Sequence, residues 1–419
     1  MQRIKEGDNL QKEKNKRKEI LKKTVVITSK VFCALLLVTF MLFLGTSVSP
    51  IYDFQMPRPF TGKDIYNPYH NLDTAHCWKR ANFHVHTRVK GILNECEYWP
   101  KEVYHRSEKL GYDIITFSNH NEITTHPFDT TLQVNVYEHG YNLLKFHKLV
   151  FGSSDVNHFD HSFPFLASQK QYQLDLLRRD ADIIQINHPL RTIGLPTSQF
   201  EKLEGYRLME LDSGRSTENL YWDSALSAGH YCFGLANDDL HYPDRTNRIA
   251  VRCNFVCTPT ARYEDILQVL NEGGFYAMRV PDYGNGNWDL KYKKNKELPS
   301  ISKIGLQDST IFITLSVQAD SIKFTGEHHK TLAVAHCSDS ASYIMRPSDP
   351  YVRITAYFPQ GEVIYSNPFA RYDASENDSP FTNSTHSVNY PLTILFNLLL
   401  GVLFISTLWA FYKFAFKKK

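Results

Sequence analysis

The sequence predicts an α/β protein: a parallel sheet or barrel whose strands alternate with helices, a small β module after it, and an apolar helix at each end. Three observations predict this. Four short apolar runs each end in histidines or in a carboxylate and a histidine. Helical patterns separate those runs, which is the order of a parallel α/β fold. Two uncharged stretches of membrane length stand near the chain ends.

The first uncharged stretch is VFCALLLVTFMLFLGTSVS, residues 31–49, and the second is PLTILFNLLLGVLFISTLWAFY, residues 391–412. About 20 residues make a helix of roughly 30 Å, the thickness of a bilayer's hydrocarbon core. Residues 31–50 and 391–412 are therefore expected to cross a membrane. A cleaved signal peptide is the alternative for the first. Its long positive lead and the lack of a clear small-x-small site favour a retained anchor. The lysine-rich tail 1–30 and the closing FKKK in 413–419 place both termini in the cytoplasm by the positive-inside rule. The expected location is the plasma (cytoplasmic) membrane, crossed twice, with residues 51–390 extracytoplasmic. A GPI signal is excluded, because such signals end in their hydrophobic tail. Six cysteines, Cys77, Cys96, Cys232, Cys253, Cys257 and Cys337, fall in the outer part and permit disulfides. The sequons at Asn377 and Asn383 matter only in a eukaryotic secretory route.

The first run is RANFHVH, with His84 and His86 two residues apart. In a strand, residues i and i+2 point to the same side, so both imidazoles can meet one metal ion. YDIITFSNHN (112–121) ends in Asn119-His120, ADIIQINHP (181–189) in Asn187-His188, and YCFGLANDDLH (231–241) in Asp239-Leu240-His241. Helical patterns at 100–111, 168–180 and 216–229 lie between them. Reactive residues of such folds gather at the C-terminal ends of the strands. One His-x-His among 18 histidines is compatible with scattered surface histidines. Four ligand clusters at four strand ends point to a metal site.

Such a site also needs a carboxylate, to balance charge or bridge two ions. VYEHGYNLLKFHKLVFG (136–152) offers Glu138, followed nine residues later by His147. These two are preferred to His158 and His161 of DVNHFDH; His139 reads as a neighbour. Farther on, EDILQVLNEGGFYAM (264–278) reads as a helix and a strand, 282–299 as a linker, and the alternating runs within 300–372 as a β-sandwich-like module.

His84-Val85-His86, Asn119-His120, Glu138 with His147, His188-Pro189 and Asp239-Leu240-His241 together resemble the motif series of the PHP (polymerase and histidinol phosphatase) superfamily. The resemblance covers about residues 78–285 and is closest to the CehA/McbA-like branch. It implies a distorted (β/α)7 barrel that binds two or three metal ions, with a small C-terminal β domain. The implied division is a cytoplasmic tail 1–30, a span 31–50, a linker 51–77, a metallohydrolase domain 78–285, a linker and β domain 286–372, a linker 373–390, a span 391–412 and a tail 413–419. Two departures stand out. Asn119 takes the place of the usual aspartate, and the loop TRVKGILNE has no histidine for a third ion. One or two ions are therefore expected.

The expected metal ligands are His84, His86, His120, Glu138, His147, His188, Asp239 and His241. Glu138 would bridge two ions, with His84, His86 and Asp239 on one and His147 and His188 on the other. His120 and His241 would bind a third ion, or stabilise charge and protonate the leaving group. Imidazole and carboxylate donors suit Zn, Mn or Fe and disfavour Mg or Ca alone. Arg191 and Arg215 are candidate phosphate contacts, with surface salt bridges as the alternative; Lys90 is a weaker candidate. Glu210 and Asp212 read as supports, and Asp238 as a support beside its ligand neighbour.

A metal of this kind lowers the pKa of bound water from about 15.7 to about 7, which supplies hydroxide at neutral pH. The expected function is that of a membrane-anchored, metal-dependent phosphoesterase. Its substrate would be an extracytoplasmic phosphorylated small molecule, lipid head group or glycan. Hydrolysis of an amide, carbamate or ester by the same site is the alternative within enzymes. A catalytically decayed binding or scaffold protein is the alternative outside them. A formal net charge of +3 over 419 residues gives no reason to expect a nucleic acid partner.

Overall fold

The computed structural model describes residues 2–56, 58–72, 78–91, 94–212, 219–376, 378–381 and 386–416. Cys77, Arg215, Asn377 and Asn383 lie outside the described residues. The chain divides into two compact units. One comprises Met1–Tyr52, His161–Phe163 and Val388–Lys419; the other comprises Asp53–Asp160 and Pro164–Ser387.

In the first unit, helix α1 runs over Gln2–Thr46, and Tyr390–Phe416 forms the last helix. Within them, Lys14–Thr46 and Tyr390–Phe414 are long and apolar enough to cross a membrane. The expected first span starts inside α1, because nothing in the lysine-rich lead breaks the helix. It stops at Thr46, so 47–50 lie beyond the helix. Past that end, Asn397 Nδ2 donates to the Ser49 carbonyl at 3.0 Å, and the Thr393 hydroxyl accepts from the Ile51 amide at 2.9 Å. Phe43 meets Phe163 edge to face at 5.6 Å.

The second unit carries the histidine clusters. Its first half contains β1 Tyr52–Asp53, which begins in the first unit, then β2 Asp64–Tyr66, β3 Trp78–Asn82, α2 Pro100–Lys109 and β4 Ile114–Ile115. Next come β5 Val136–His139, β6 Lys148–Phe151, α3 Ala167–Leu177, β7 Ile183–Ile186, β8 Leu208–Asp212, α4 Asn219–Ser227 and β9 Phe233–Ala236. The second half contains β10 Arg252–Cys257, α5 Tyr263–Glu272, β11 Phe275–Arg279 and α6 Trp288–Lys294. It continues with β12 Ile301–Gln307, β13 Thr310–Thr325, β14 Thr331–Ile344, β15 Tyr351–Tyr357, β16 Val363–Ser366, β17 Phe369–Tyr372 and β18 Ser387–Val388, which ends in the first unit. Helix α7 is the terminal Tyr390–Phe416.

Local chemistry sets these boundaries. Pro100 opens α2, where its missing N–H costs nothing, and the Glu102 carboxylate accepts from the Trp99 amide at 2.8 Å. Gly273 closes α5 with φ +90°, a left-handed conformation that favours glycine. Gly234 in β9 is needed for a different reason: a Cβ there would lie 2.3 Å from Leu211 Cδ1. The apolar runs are buried on both faces, as β7 shows, with Ile183, Ile184 and Ile186 all in the core.

β5-β6-β7-β8-β9 form one sheet, with β7/β8 and β8/β9 parallel. β5/β6 and β6/β7 are antiparallel, so the expected all-parallel order fails there. The reason is length. Only residues 140–147 join β5 to β6, and a parallel crossover needs a dozen or more. Parallel β3/β4 belongs to an eleven-stranded sheet together with β2, β10, β11 and β12–β17. The strands of the expected C-terminal module thus continue the sheet that holds β3. The expected linker 282–299 contains α6, capped by the Asn287 side chain, which accepts from the Leu290 amide. Cys257 is disulfide-bonded; Cys96, Cys232, Cys253 and Cys337 are free thiols.

Two isolated parallel bridges tie strand ends together, Val85 to Leu240 and His120 to Glu138. They place four of the polar clusters side by side.

Candidate metal centre

β3 stops at Asn82, yet the chain stays extended through His86. The His86 amide donates to Leu240 O at 2.9 Å, and the Leu240 amide to His84 O at 3.2 Å. Phe83 and Val85 go into the core, and the alternation sends His84 and His86 to the other side. The Glu138 amide donates to Asn119 O, which sets β5 beside the 119–120 turn. His188 follows β7 and Asp239 follows β9, and both have left-handed backbones, with φ +26° and +49°. Non-glycine residues rarely adopt that conformation, and where they do it often marks a functional site.

The side chains converge on Glu138, which is buried. Its Oε2 lies 3.2 Å from His84 Nε2, 3.2 Å from His86 Nε2 and 3.0 Å from His120 Nε2. Its Oε1 lies 3.3 Å from His147 Nδ1 and 3.3 Å from His188 Nε2. Asp239 Oδ1 lies 3.1 Å from His84 Nε2 and 3.2 Å from His86 Nε2. His241 Nδ1 lies 2.8 Å from the Asp239 carbonyl.

Three sets of these residues could each hold a metal ion: His84, His86, Glu138 and Asp239; His120, Glu138 and His147; and His86, Glu95 and His241. Two ligand atoms about 2.1 Å from one ion, at about 90–110° to each other, are about 3.0–3.4 Å apart. The separations around Glu138 fall in that range, and the donors are nitrogen and oxygen only. The residues therefore fit a divalent ion. Among the described residues, the buried His188 Nδ1 and His120 Nδ1 have no hydrogen-bond partner.

The electrostatics are those of a dense acid–imidazole cluster. Burial pushes His84 down, but Glu138 and Glu210 outweigh it and hold the imidazole up to about 10. His120 is also held up to about 10, because Glu138 and Glu95 outweigh burial. His86 is pushed down to about 3 by burial and by His241, and His147 down to about 4 by burial. Glu138 is held well below the carboxylate range, because its imidazoles outweigh burial.

Outside this ring sit the supports. Glu210 Oε1 faces His84 Nδ1 at 3.1 Å, and its Oε2 accepts from the His188 amide at 2.7 Å. Asn187 Nδ2 donates to Glu138 Oε1 at 2.8 Å. Asp238 accepts from Asn82 Nδ2 and from the amides of Ala250, Val251 and Arg252, so it holds a loop together. Arg191 Nη1 donates to Asp239 Oδ2.

Other sequence candidates lie elsewhere. His158 is exposed and outside the cluster. His161 belongs to the helix unit, with its Nδ1 on the Thr46 carbonyl. His139 turns away from the cluster to the Phe159 carbonyl. Lys90 is exposed. Asp212 binds Arg252 and Arg279 and, among the described residues, pairs with no imidazole. Asn119 also stays out of the cluster: its Oδ1 accepts from the Thr87 amide, and its Nδ2 donates to the Thr87 and Thr124 hydroxyls.

Sequence reasoning missed Glu95. Its Oε2 lies 3.1 Å from His120 Nε2, 3.5 Å from His86 Nδ1 and 3.6 Å from His241 Nε2. These imidazoles hold its carboxyl far below the usual range, against the upward push of partial burial. The residue sits in the very loop searched for a histidine; the signal was an acid in place of an imidazole.

No family model and no curated protein matches the chain. Among solved structures, it is similar to a two-domain protein containing a predicted PHP-like metal-dependent phosphoesterase from Bacteroides vulgatus. The identity is 14%, the match covers 75% of this chain and 100% of that one, and the TM-score is 0.35.

Proposed function

We propose that the chain is a metal-dependent phosphoesterase of the PHP type, anchored in the membrane by its two apolar helices and acting outside the cytoplasm. One observation carries the reading: five imidazoles from three strand ends and the β5–β6 loop meet the two oxygens of a single buried carboxylate, Glu138, at 3.0–3.3 Å. So many neutral or cationic rings on one carboxylate are hard to explain as core packing.

The strand order supports a distorted seven-stranded barrel. β3 pairs with β4, a bridge leads to β5, β5 to β9 follow in order, and a second bridge leads back to β3. The proposed catalytic domain spans 78–285 and the C-terminal β region 286–372. The basic tails 1–30 and 413–419 are assigned to the cytoplasm.

Glu138 would bridge two ions. His84, His86 and Asp239 complete one set, and His120, His147 and His188 the other. Glu95, His86 and His241 offer a third position, which revises the expectation of one or two ions. Zn, Mn or Fe suits these donors. A bound ion of this kind activates water and polarises the substrate oxygen. The chain's own residues do the rest. Glu210 fixes His84 with its Nε2 toward Glu138, and Asn187 fixes the Glu138 carboxylate. Arg191 faces the developing phosphoryl charge. If no ion fills the third position, His241 would give the leaving-group oxygen a proton from Nε2. Asn119 contributes no ligand, so the departure from aspartate removes none.

The test uses the full chain in detergent. Metal content is measured, and p-nitrophenyl phosphate, bis(p-nitrophenyl) phosphate and p-nitrophenyl acetate are offered with Mn²⁺ or Zn²⁺. The expected result is bound metal and phosphoester cleavage that His188→Ala abolishes. No bound metal, or full activity in His188→Ala, overturns the reading. Cleavage of the acetate alone transfers it to ester hydrolysis. A cytoplasmic tag at residue 60 refutes the topology.

A further inference from the structure

A cavity of about 630 Å³ opens beside Asp239 and His241. That is the size of a small-molecule site. Four arginines line it: Arg191, Arg248, Arg252 and Arg279. Arg252 and Arg279 are directly opposite each other in the antiparallel β10/β11 pair. Like charges at such positions repel. Asp212 behind them offsets the repulsion: fully buried at the end of β8, it accepts from the Nε of both arginines. A guanidinium has five N–H donors, so each keeps donors that Asp212 does not use.

The acids on the cavity wall are already engaged. Arg191 covers Asp239, and Asp238 is taken up by Asn82 and three backbone amides. Asp282 accepts from the Thr246 hydroxyl and the Gly284 amide. Arg248 is solvent-exposed at the rim. The wall thus presents fixed cationic donors, preorganised by one buried carboxylate, right beside the proposed ligand Asp239. Fixed guanidinium forks suit carboxylate or phosphate oxygens.

We propose that this cavity is a second anion subsite, in which Arg252, Arg279 and Arg248 bind a carboxylate or phosphate carried by the non-reacting part of the substrate. The substrate class is then a phosphoester with a second anionic group. The substrate class and the kinetic test rest on the phosphoesterase reading; the anion subsite itself does not.

The test compares 3-phosphoglycerate with glycerol 3-phosphate on the metal-loaded full chain. The two differ in a carboxylate against a hydroxymethyl group. The expected kcat/KM ratio is about tenfold or more in favour of 3-phosphoglycerate, since each tenfold needs about 1.4 kcal/mol and a charge-assisted pair supplies that much. Arg279→Gln brings the ratio to within about threefold of unity. It also leaves buried Asp212 with one partner and can unfold the chain, so Arg248→Gln, on an exposed side chain that does not touch Asp212, serves as the second variant and narrows the ratio as well. A ratio near one in the unaltered chain, or a ratio unchanged in both variants, overturns the proposal. If neither compound is hydrolysed, calorimetric binding of the same two compounds decides, and the phosphoesterase reading stands or falls separately on p-nitrophenyl phosphate and bis(p-nitrophenyl) phosphate. Tighter binding of 3-phosphoglycerate that Arg248→Gln abolishes upholds the subsite, and equal binding removes it.

Discussion

Replacing Glu210 with glutamine tests whether the cluster is a metal site held by its surroundings. Glu210 is fully buried, and among the described residues its oxygens meet two donors: the His84 ring at Nδ1, 3.1 Å away, and the His188 amide, 2.7 Å away. With the proton on Nδ1 held by Glu210, Nε2 of His84 is the nitrogen that would bind a metal ion beside Glu138. Glutamine keeps the shape but replaces one acceptor oxygen with an NH₂ group. One of the two donors must then face a donor. A lost hydrogen bond to a charged buried group costs about 1.5–3 kcal/mol, and removal of such outer supports commonly weakens metal binding about 10–100-fold. That range equals about 1.4–2.7 kcal/mol, so the two estimates agree. The assay is competition for Zn²⁺ between the full chain and a chromophoric chelator, together with thermal unfolding of the metal-free chain. Weaker binding by about 10–100-fold in a folded Glu210→Gln protein is expected. Zn²⁺ affinity within twofold of the unaltered chain would refute the reasoning, because His84 would then need no orienting partner.

Glu95→Gln is expected to lower the number of bound ions per chain while leaving the ions at Glu138 in place, read by elemental analysis; unchanged stoichiometry means that Glu95 is not a ligand. Asn119→Asp is expected to add no metal and to change stability by no more than about 1 kcal/mol, because the residue hydrogen-bonds to Thr87 and Thr124 and not to the cluster; a gain of bound metal contradicts this. His386 bonds to Asp175 and Glu204, and these acids, outweighing burial, raise it to about 9. Its folded pKa lies above the unfolded value of about 6.5, so its contribution, about 1–2 kcal/mol after solvent screening, is fully present below pH 6.5 and lost as pH rises through 9. The gap in Tm between the unaltered chain and His386→Gln should close over that window, and a gap that is flat or widens fails the prediction. Gly234→Ala is expected to cost about 1–3 kcal/mol, read by denaturant unfolding, because the new methyl would overlap Leu211 Cδ1; wild-type stability would show that β8 and β9 can part.

The antiparallel return at β6 and the joining of β12–β17 to the sheet of β3 were not legible in advance. Periodicity reports which side chains are buried, and it is silent on which neighbour a strand chooses. The eight-residue link 140–147 is too short for a parallel crossover and is the one local sign of the hairpin. Arg252 opens β10 and Arg279 closes β11, with residues 258–274 between the two strands, and only the β10/β11 register sets them opposite each other.

The sequence by itself marked the two apolar helices and singled out His84, His86, His120, Glu138, His147, His188, Asp239 and His241 as candidate ligands. The reason is that each signal is local: an uncharged run of bilayer length, or a polar cluster at the end of an apolar strand. Only the tertiary structure decided that Glu138 is the common centre, that Glu95 joins it, and that Asn119 stands aside. Those facts depend on distances between strand ends that are far apart in the chain, and they are set by the bridges between Val85 and Leu240 and between His120 and Glu138.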